Sequence, residues 1–493
     1  MKRSFGFHVS NYAAAEVLAT VAGLLSFPIL TRLLSVSDYG TMNLVASALG
    51  LTIAAGKLGL QHAALRSYSE ISSGKSAYTM PQFESTVFWG MALSGSIVTV
   101  LWAMAVAFIP AAWWGGDGVG PIMLLAAPLI LIRVLDSALV NQLRALEDSK
   151  ALAIYSTARR YATLALVVGV LIYVQRGLIG FYAATIAIEL VAAMALLVWM
   201  HRGRPYPSPR NLSKPLYLSL AIFGLPMLGT EISNVILTMS DRYIIQVKLD
   251  AASLGVYAAS YNMCDYIRAA LLGAMVSAAY PTCMRLWEFD GREALTRFIS
   301  SFMHYYISMA LLVILVVSSV GSELMSFLAS SKYRAGGEVI PLIMIGMVFQ
   351  SLLMIAGVGL YIAKKTTVIM WLVLVGGIAS IAANYFLVPR FGIRGAGMSL
   401  VAVFLLLTVV YYYFSREIVH FRFPMRSLIV FVPIAGVAYL AAVSVHLESD
   451  FATLVVRTFV GGGLYCIGVL AVDRTIRGKA VDLLQRVRAN RVR

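Results

Sequence analysis

Apolar stretches of twenty or more residues recur along this chain, divided by short polar breaks. A hydrocarbon core about 30 Å thick is crossed by about 20 residues of α-helix. That ruler places candidate spans near 8–30, 40–65, 85–110, 119–144, 151–174, 178–200, 216–246, 254–284, 298–320, 338–362, 367–388, 394–415, 426–446 and 452–472. The runs are continuous rather than alternating, which predicts helices and excludes a barrel of amphipathic strands. The expected fold class is therefore an all-α polytopic membrane protein with about 14 transmembrane helices. The first run, from Phe7 to Leu30, follows Lys2 and Arg3 as a signal peptide would. It is too long for a signal core and no A-x-A-like site closes it, so it reads as an uncleaved first span.

A repeat organises the spans. Tyr39-Gly40 opens span 2 and Leu254-Gly255 opens span 8, at an offset of 215; Gly177 to Gly180 and Gly392 to Gly395 open spans 6 and 12 at the same offset. Two landmarks sharing one offset predict two homologous six-helix lobes. The expected division is 1–201 for the N-lobe, 202–214 for a linker, 215–416 for the C-lobe, 417–473 for spans 13 and 14, and 474–493 for a basic tail. An even span count gives both lobes the same orientation, so their pseudo-two-fold axis runs along the membrane normal. Such a pair of lobes places a substrate site at the lobe interface near the midplane.

Charge in the loops sets the expected orientation. With the N-terminus inside, the inner segments and tail hold 25 Lys/Arg and the outer loops 7. The positive-inside rule then puts both termini in the cytoplasm and Trp113 and Trp114 at the outer interface. The tail from Arg474 to Arg493 reads either as a helix on the anionic inner leaflet or as a solvated segment. Composition agrees with the pattern: 60% of residues are apolar, 13% are charged, and the mean hydropathy is +0.82. A soluble chain carries about 25% charged residues. The formal net charge of +16 raises nucleic acid, anionic lipid and an anionic substrate as partners. Nucleic acid is rejected, because the basic residues are spread over short segments.

Seven basic residues remain inside the spans: Lys57, Arg133, Arg159, Arg160, Arg242, Arg268 and Arg457. Each costs about 2.5–3.5 kcal/mol at the bilayer centre unless it faces a bundle interior or a wet cavity. Lys57, Arg133, Arg159 and Arg268 fall near one depth, about 13 Å from a span end at 1.5 Å rise per residue. Helical phase groups Asn43, Ser47, Lys57 and Gln61 on one face of span 2, Glu231, Asn234, Thr238 and Asp241 on span 7, and Tyr257, Tyr261, Asp265 and Arg268 on span 8. Such stripes line a cavity or a packed interface. Arg133/Asp136 and Asp265/Arg268 are i,i+3 pairs, and self-neutralisation stands beside a cavity role for both. Lys57 has no acid within one turn. Arg32 and Arg242 flank outer ends, where snorkelling and gating are alternative readings. Buried acids Glu16, Asp136, Glu231, Asp241 and Asp265 are candidates for carrying H+ or Na+.

Other chemistry is excluded. Ser72-Ser73-Gly74-Lys75-Ser76 looks like the end of a phosphate-binding loop, but Ser69 stands where the first glycine belongs and no strand precedes it. Cys264, Cys283 and Cys466 lie in apolar runs, and the six His form no metal motif. No metal, cofactor or enzyme is expected.

The segment FPILTRLLSVSDYGTMNLV across spans 1 and 2 resembles the opening signature of Wzx-type polysaccharide flippases, the polysaccharide-transporter branch of the MOP superfamily. SDRYIIQVKLDAASLGVYAASYNM is similar to that family's second-half counterpart. The resemblance covers essentially the whole chain. It implies alternating access through a cationic cavity in the bacterial inner membrane. The implied cargo is an undecaprenyl-pyrophosphate-linked oligosaccharide, carried to the outer leaflet for O-antigen, capsule or exopolysaccharide synthesis, with glycosyltransferases or a polymerase as partners. Lipid II flippases of the MurJ type and MATE drug exporters share the architecture and are the alternatives. A drug exporter for organic cations wants an acidic cavity, whereas the unpaired charges here are basic. Lys57, Arg133, Arg159 and Arg268 are assigned to pyrophosphate or acidic sugars, Arg32 and Arg242 to the outer mouth, and Asn43, Gln61, Tyr257 and Tyr261 to sugar contacts.

Overall fold

The computed structural model describes residues 5–116, 118–421 and 423–479, with side chains from Leu18 onward except Ala19. The helices follow the predicted spans. They are α1 (Phe5–Leu33), α2 (Val36–Ser72), α3 (Met80–Phe108), α4 (Val119–Ala145), α5 (Ser149–Tyr173), α6 (Leu178–Met200) and α7 (Lys214–Lys248). They continue with α8 (Ala251–Phe289), α9 (Gly291–Ser319), α10 (Ile340–Ile362), α11 (Thr366–Phe391), α12 (Ile393–Ser415), α13 (Met425–Val443) and α14 (Asp450–Val472). No strand occurs among the described residues. Twelve of these helices are long and apolar enough to cross a membrane. Outside that set are α1, whose described apolar part is Thr20–Leu33, and α5, whose Arg159 and Arg160 lower its hydropathy. The chain is a multi-pass membrane protein. Leu93, Ile97, Val100, Leu101 and Met104 stand exposed on α3, which water would penalise and lipid does not.

Polar residues mark the helix starts. Ser35 accepts from the Asp38 amide at the head of α2 (3.0 Å), and Asp148 from Ala151 at the head of α5 (3.1 Å). Thr79 and Gln82 form a reciprocal capping box on α3. Replacing Thr79 with alanine frees an amide and is expected to cost about 1 kcal/mol. A small fall in melting temperature with unchanged transport would register it.

Several spans are broken. Leu58 (φ 49°) and Gly59 (φ 68°) are both left-handed and divide α2 into Val36–Lys57 and Leu60–Ser72. In α8 a π-helical turn covers Ala269–Gly273. At the offset of 215, Leu58 maps onto Gly273, so the two irregularities fall at corresponding places.

The chain forms two compact units, one running to Ala258 and including Val373–Gly392, the other comprising Ala259–Leu372 and the residues from Ile393. In the first, α2 lies along α7, and α2 also meets the start of α8 through glycine. A Cβ on Gly40 would collide with the Ala251 carbonyl oxygen, and one on Gly255 with the Val36 carbonyl oxygen. A second glycine contact joins Gly59 to Gly224. The landmarks Gly40 and Gly255, paired in sequence by the offset, thus pack near each other. Gly177 and Gly392, the other landmark pair, share a left-handed backbone (φ 86° and 59°).

In the second unit, Arg457 on α14 is buried. It donates to Glu323 Oε1 (3.1 Å), the Ser319 carbonyl (3.1 Å), the Val445 carbonyl (2.9 Å) and His446 Nδ1 (3.0 Å). This network ties the α13–α14 hairpin to the end of α9. Of the expected tail helix only the start is described: Asp473 Oδ1 caps the amides of Thr475 and Ile476 (2.9 Å each). Residues 480–493 lie outside the described residues.

Candidate functional site

A large polar cavity lies within the first unit, between α1, α2, α4, α5 and α6, with a volume near 910 Å³. Lys57, Arg133, Arg144, Arg159 and Arg160 line it, with Asp136 and Glu189 as the carboxylates. Gln61, His62, Ser137, Asn141, Tyr155 and Ser156 complete its polar wall. Three predicted site cations, Lys57, Arg133 and Arg159, are therefore brought together, along with Gln61.

Their partners differ from those the helix faces suggest. Arg133 does not pair with Asp136. It grips Glu189 of α6 with two parallel bonds, Nε to Oε2 and Nη2 to Oε1, both 2.8 Å. Asp136 instead takes Arg159 and the Tyr155 hydroxyl, both from α5. Arg159 also stands over the Tyr155 ring, 5.6 Å from its centroid. The physical reason is geometric. A planar guanidinium favours a carboxylate it can meet with both arms, and Glu189, on a different helix, offers that approach.

Lys57 is not unpaired either. Its Nζ donates to Glu231 Oε1 on α7 (3.2 Å), and Gln61 Nε2 donates to Glu231 Oε2 (2.8 Å). The break at Leu58–Gly59 explains the arrangement. Lys57 ends one helical segment, where the dipole favours a cation, and Gln61 starts the next. Both side chains thereby reach one carboxylate. Arg144 and Arg160 have no ion pair among the described residues, and Arg144 donates to the amide oxygen of Asn141 (3.4 Å).

The other predicted residues lie elsewhere. Arg242 is buried at 5% exposure rather than open to an outer mouth. It donates to the Thr238 carbonyl (2.9 Å) and to Asp241 (3.2 Å). Tyr257 has no exposed surface for a sugar and donates to Asp241 Oδ2 (2.6 Å). Asn43 and Tyr261 are buried; the Asn43 amide bonds the Tyr39 carbonyl (2.8 Å). A polar stripe at helical spacing here marks packing rather than a surface. Arg32 is exposed at the end of α1. In the second unit, Arg268 pairs with Asp265 (2.9 and 2.6 Å), the self-neutralising one of the two readings of their i,i+3 spacing, and also reaches Ser351 Oγ (3.3 Å). The Glu16 side chain lies outside the described residues.

Sequence reasoning overlooked Arg144, Asn141, Ser137 and Tyr155 as cavity residues. A signal for them exists: Arg133, Ser137, Asn141 and Arg144 follow one face of α4, and Tyr155 and Arg159 are i,i+4 on α5. No cluster of metal-binding side chains occurs among the described residues.

The sequence model of a family described as "Polysaccharide biosynthesis protein" matches residues 8–287. No curated protein sequence matches the chain. Among solved structures, the fold is similar to the lipid II flippase MurJ in an inward closed conformation, with TM-score 0.76, 12% identity, 94% of this chain and 99% of that one covered. It is also similar to a multidrug-resistance MATE transporter of the MOP superfamily in an inward-facing conformation, with TM-score 0.63, 12% identity, 81% of this chain and 93% of that one covered. At these identities the likeness establishes the fold alone, which the chain shares with those two structures.

Proposed function

Since the chain belongs to the polysaccharide biosynthesis protein family, we propose that it is a flippase for an undecaprenyl-pyrophosphate-linked oligosaccharide. Its cargo is a precursor of surface polysaccharide, moved from the inner to the outer leaflet of the bacterial plasma membrane by alternating access. The observation that carries the reading is the cavity: basic side chains outnumber carboxylates along its wall, and Arg144 and Arg160 are held by no ion pair among the described residues. A pyrophosphate is a multivalent anion and takes guanidinium donors two at a time. In a low-dielectric pocket that attraction is stronger than in water.

Binding competes with partners already present. Arg133 and Arg159 are held by Glu189 and Asp136, and Lys57 by Glu231. An entering anion meets Arg144 and Arg160 first and then displaces these carboxylates. Asp136 and Glu231, once released, are the candidates for taking up H+ or Na+. Orientation with the basic loops in the cytoplasm lets the cavity receive a substrate made there. A glycosyltransferase or polymerase is the expected partner in the pathway, and the protein performs no bond chemistry of its own.

Proteoliposomes carrying a fluorescent undecaprenyl-pyrophosphate oligosaccharide test the proposal. The purified chain is expected to move the glycolipid across the bilayer at least about tenfold faster than protein-free vesicles, since the polar head otherwise has to enter hydrocarbon. Lipid II in a parallel arm separates the polysaccharide reading from the peptidoglycan one. Export of a rhodamine-like cation without glycolipid movement would overturn it.

A further inference from the structure

A second charged pocket lies away from the large cavity, where the loop-side ends of α3, α4, α5 and α6 meet. It has a volume near 240 Å³ and is lined by Glu84, Asp148, Arg202 and Arg204, with Gln142 and His201 between them. None of these four charges has an ion-pair partner among the described residues. This contrasts with the large cavity, where three cations are already matched to carboxylates. Two cations and two anions sharing a small space without pairing leave room for a ligand that carries both signs.

The turn that presents the arginines is well fixed. His201 is 3% exposed, its Nδ1 lies 3.0 Å from the Leu197 carbonyl, and its ring stacks on Tyr206 at 5.4 Å. Gly203 takes a left-handed backbone (φ 76°) between Arg202 and Arg204, and the Arg204 amide bonds the His201 carbonyl (3.1 Å). On the other side, Asp148 is held by its capping bond to Ala151.

The pocket continues into an apolar groove. Val191, Met194, Val198 and Trp199 form one exposed face of α6, and they line a groove of about 400 Å³. Trp199 and Arg202 belong to both groove and pocket. The result is an apolar slot on the bilayer-facing surface that leads, past an amphipathic Trp, into a site with paired signs of charge. Trp at this position sits at the level of lipid headgroups.

We propose that this composite site binds a zwitterionic aminophospholipid of the surrounding bilayer, of the phosphatidylethanolamine class. Its phosphate lies against Arg202 and Arg204, its primary ammonium against Glu84 and Asp148, and one acyl chain along the α6 groove. The chemistry excludes the other common headgroups. Phosphatidylcholine has no N–H to donate to the carboxylates. Phosphatidylglycerol has no cation and leaves both acids facing an anion. The site is separate from the proposed substrate cavity and stands whether or not that cavity carries a glycolipid.

Native mass spectrometry of the purified full chain in mild detergent, with each lipid added in turn, tests this. Phosphatidylethanolamine adducts are expected to survive several-fold better than those of the other two lipids. Arg202→Ala and Glu84→Gln should each erase the preference, while Arg202→Lys should keep part of it. Equal retention of phosphatidylcholine would show that only the groove is used, and equal or better retention of phosphatidylglycerol would mark a plain anion site. Either result overturns the proposal, and the wild-type comparison of lipids decides it even where a variant folds poorly.

Discussion

Replacing Arg159 with alanine is expected to lower glycolipid translocation by about thirtyfold or more while the protein stays in the membrane at its normal level. Truncating one member of a buried, hydrogen-bonded charge pair costs about 2–5 kcal/mol; with the Arg159 side chain 32% exposed the low end applies, and about 2 kcal/mol corresponds to that factor. Two explanations of such a loss are separable. Arg159 binds Asp136, so the single mutant also leaves a carboxylate in the cavity with only the Tyr155 hydroxyl as partner. If neutralising Asp136 were the whole role of Arg159, the double mutant Arg159→Ala/Asp136→Ala would recover transport. If Arg159 instead receives the substrate's phosphate, the double mutant stays inactive while its thermal stability recovers. The interaction term between the two sites is what the cycle measures. Full activity in Arg159→Ala and Lys57→Ala would remove the cavity from the mechanism.

The second large effect is structural. Gly40→Val is expected to prevent accumulation of folded protein or to lower its melting temperature strongly, because the new side chain would occupy the space of the Ala251 carbonyl. Overpacking a core costs about 1–3 kcal/mol when side chains can shift. Here the obstacle is backbone on a neighbouring helix, so relief requires moving a whole helix. Gly463→Ala is the control. Nothing lies within 4 Å of a Cβ there, and in a helix interior the change is worth about 0.5–1 kcal/mol in the stabilising direction. Thermal unfolding in detergent, read by size-exclusion chromatography, ranks the two. If Gly40→Val melted with the wild type, the close approach of α2 to α8 would not be a requirement of the fold.

The spans were legible because their signal is length: a run of apolar residues long enough to cross hydrocarbon has few other uses. The signal weakened at α5, whose Arg159 and Arg160 lower its hydropathy below that of its neighbours. The breaks were less legible. Gly59 is a cue for the first that went unread, and nothing in Ala269–Gly273 announces a π turn. The cavity's cations were legible as residues and not as pairs. Helical phase speaks only for neighbours on one helix, so it offered Asp136 to Arg133. Glu189 and Glu231 reach their partners from other helices, 56 and 174 residues away in sequence, and no local pattern reports that. Phase misled for Tyr257 and Asn43 in the same way, since a polar stripe looks alike whether it faces a cavity or a packed helix.

The break in α2 has a mechanical consequence. Lys57 and Gln61 sit on opposite lips of a joint two residues long, and one carboxylate, Glu231, currently pins both lips. Any ligand that takes Lys57 away from Glu231 unpins one lip and leaves the other held. The Val36–Lys57 segment then keeps its packing against α8 at Gly40, while Gln61 keeps the Leu60–Ser72 segment on Glu231. One carboxylate thus couples the two segments of α2 that the left-handed residues Leu58 and Gly59 divide, so a change in its pairing is felt on both sides of the break.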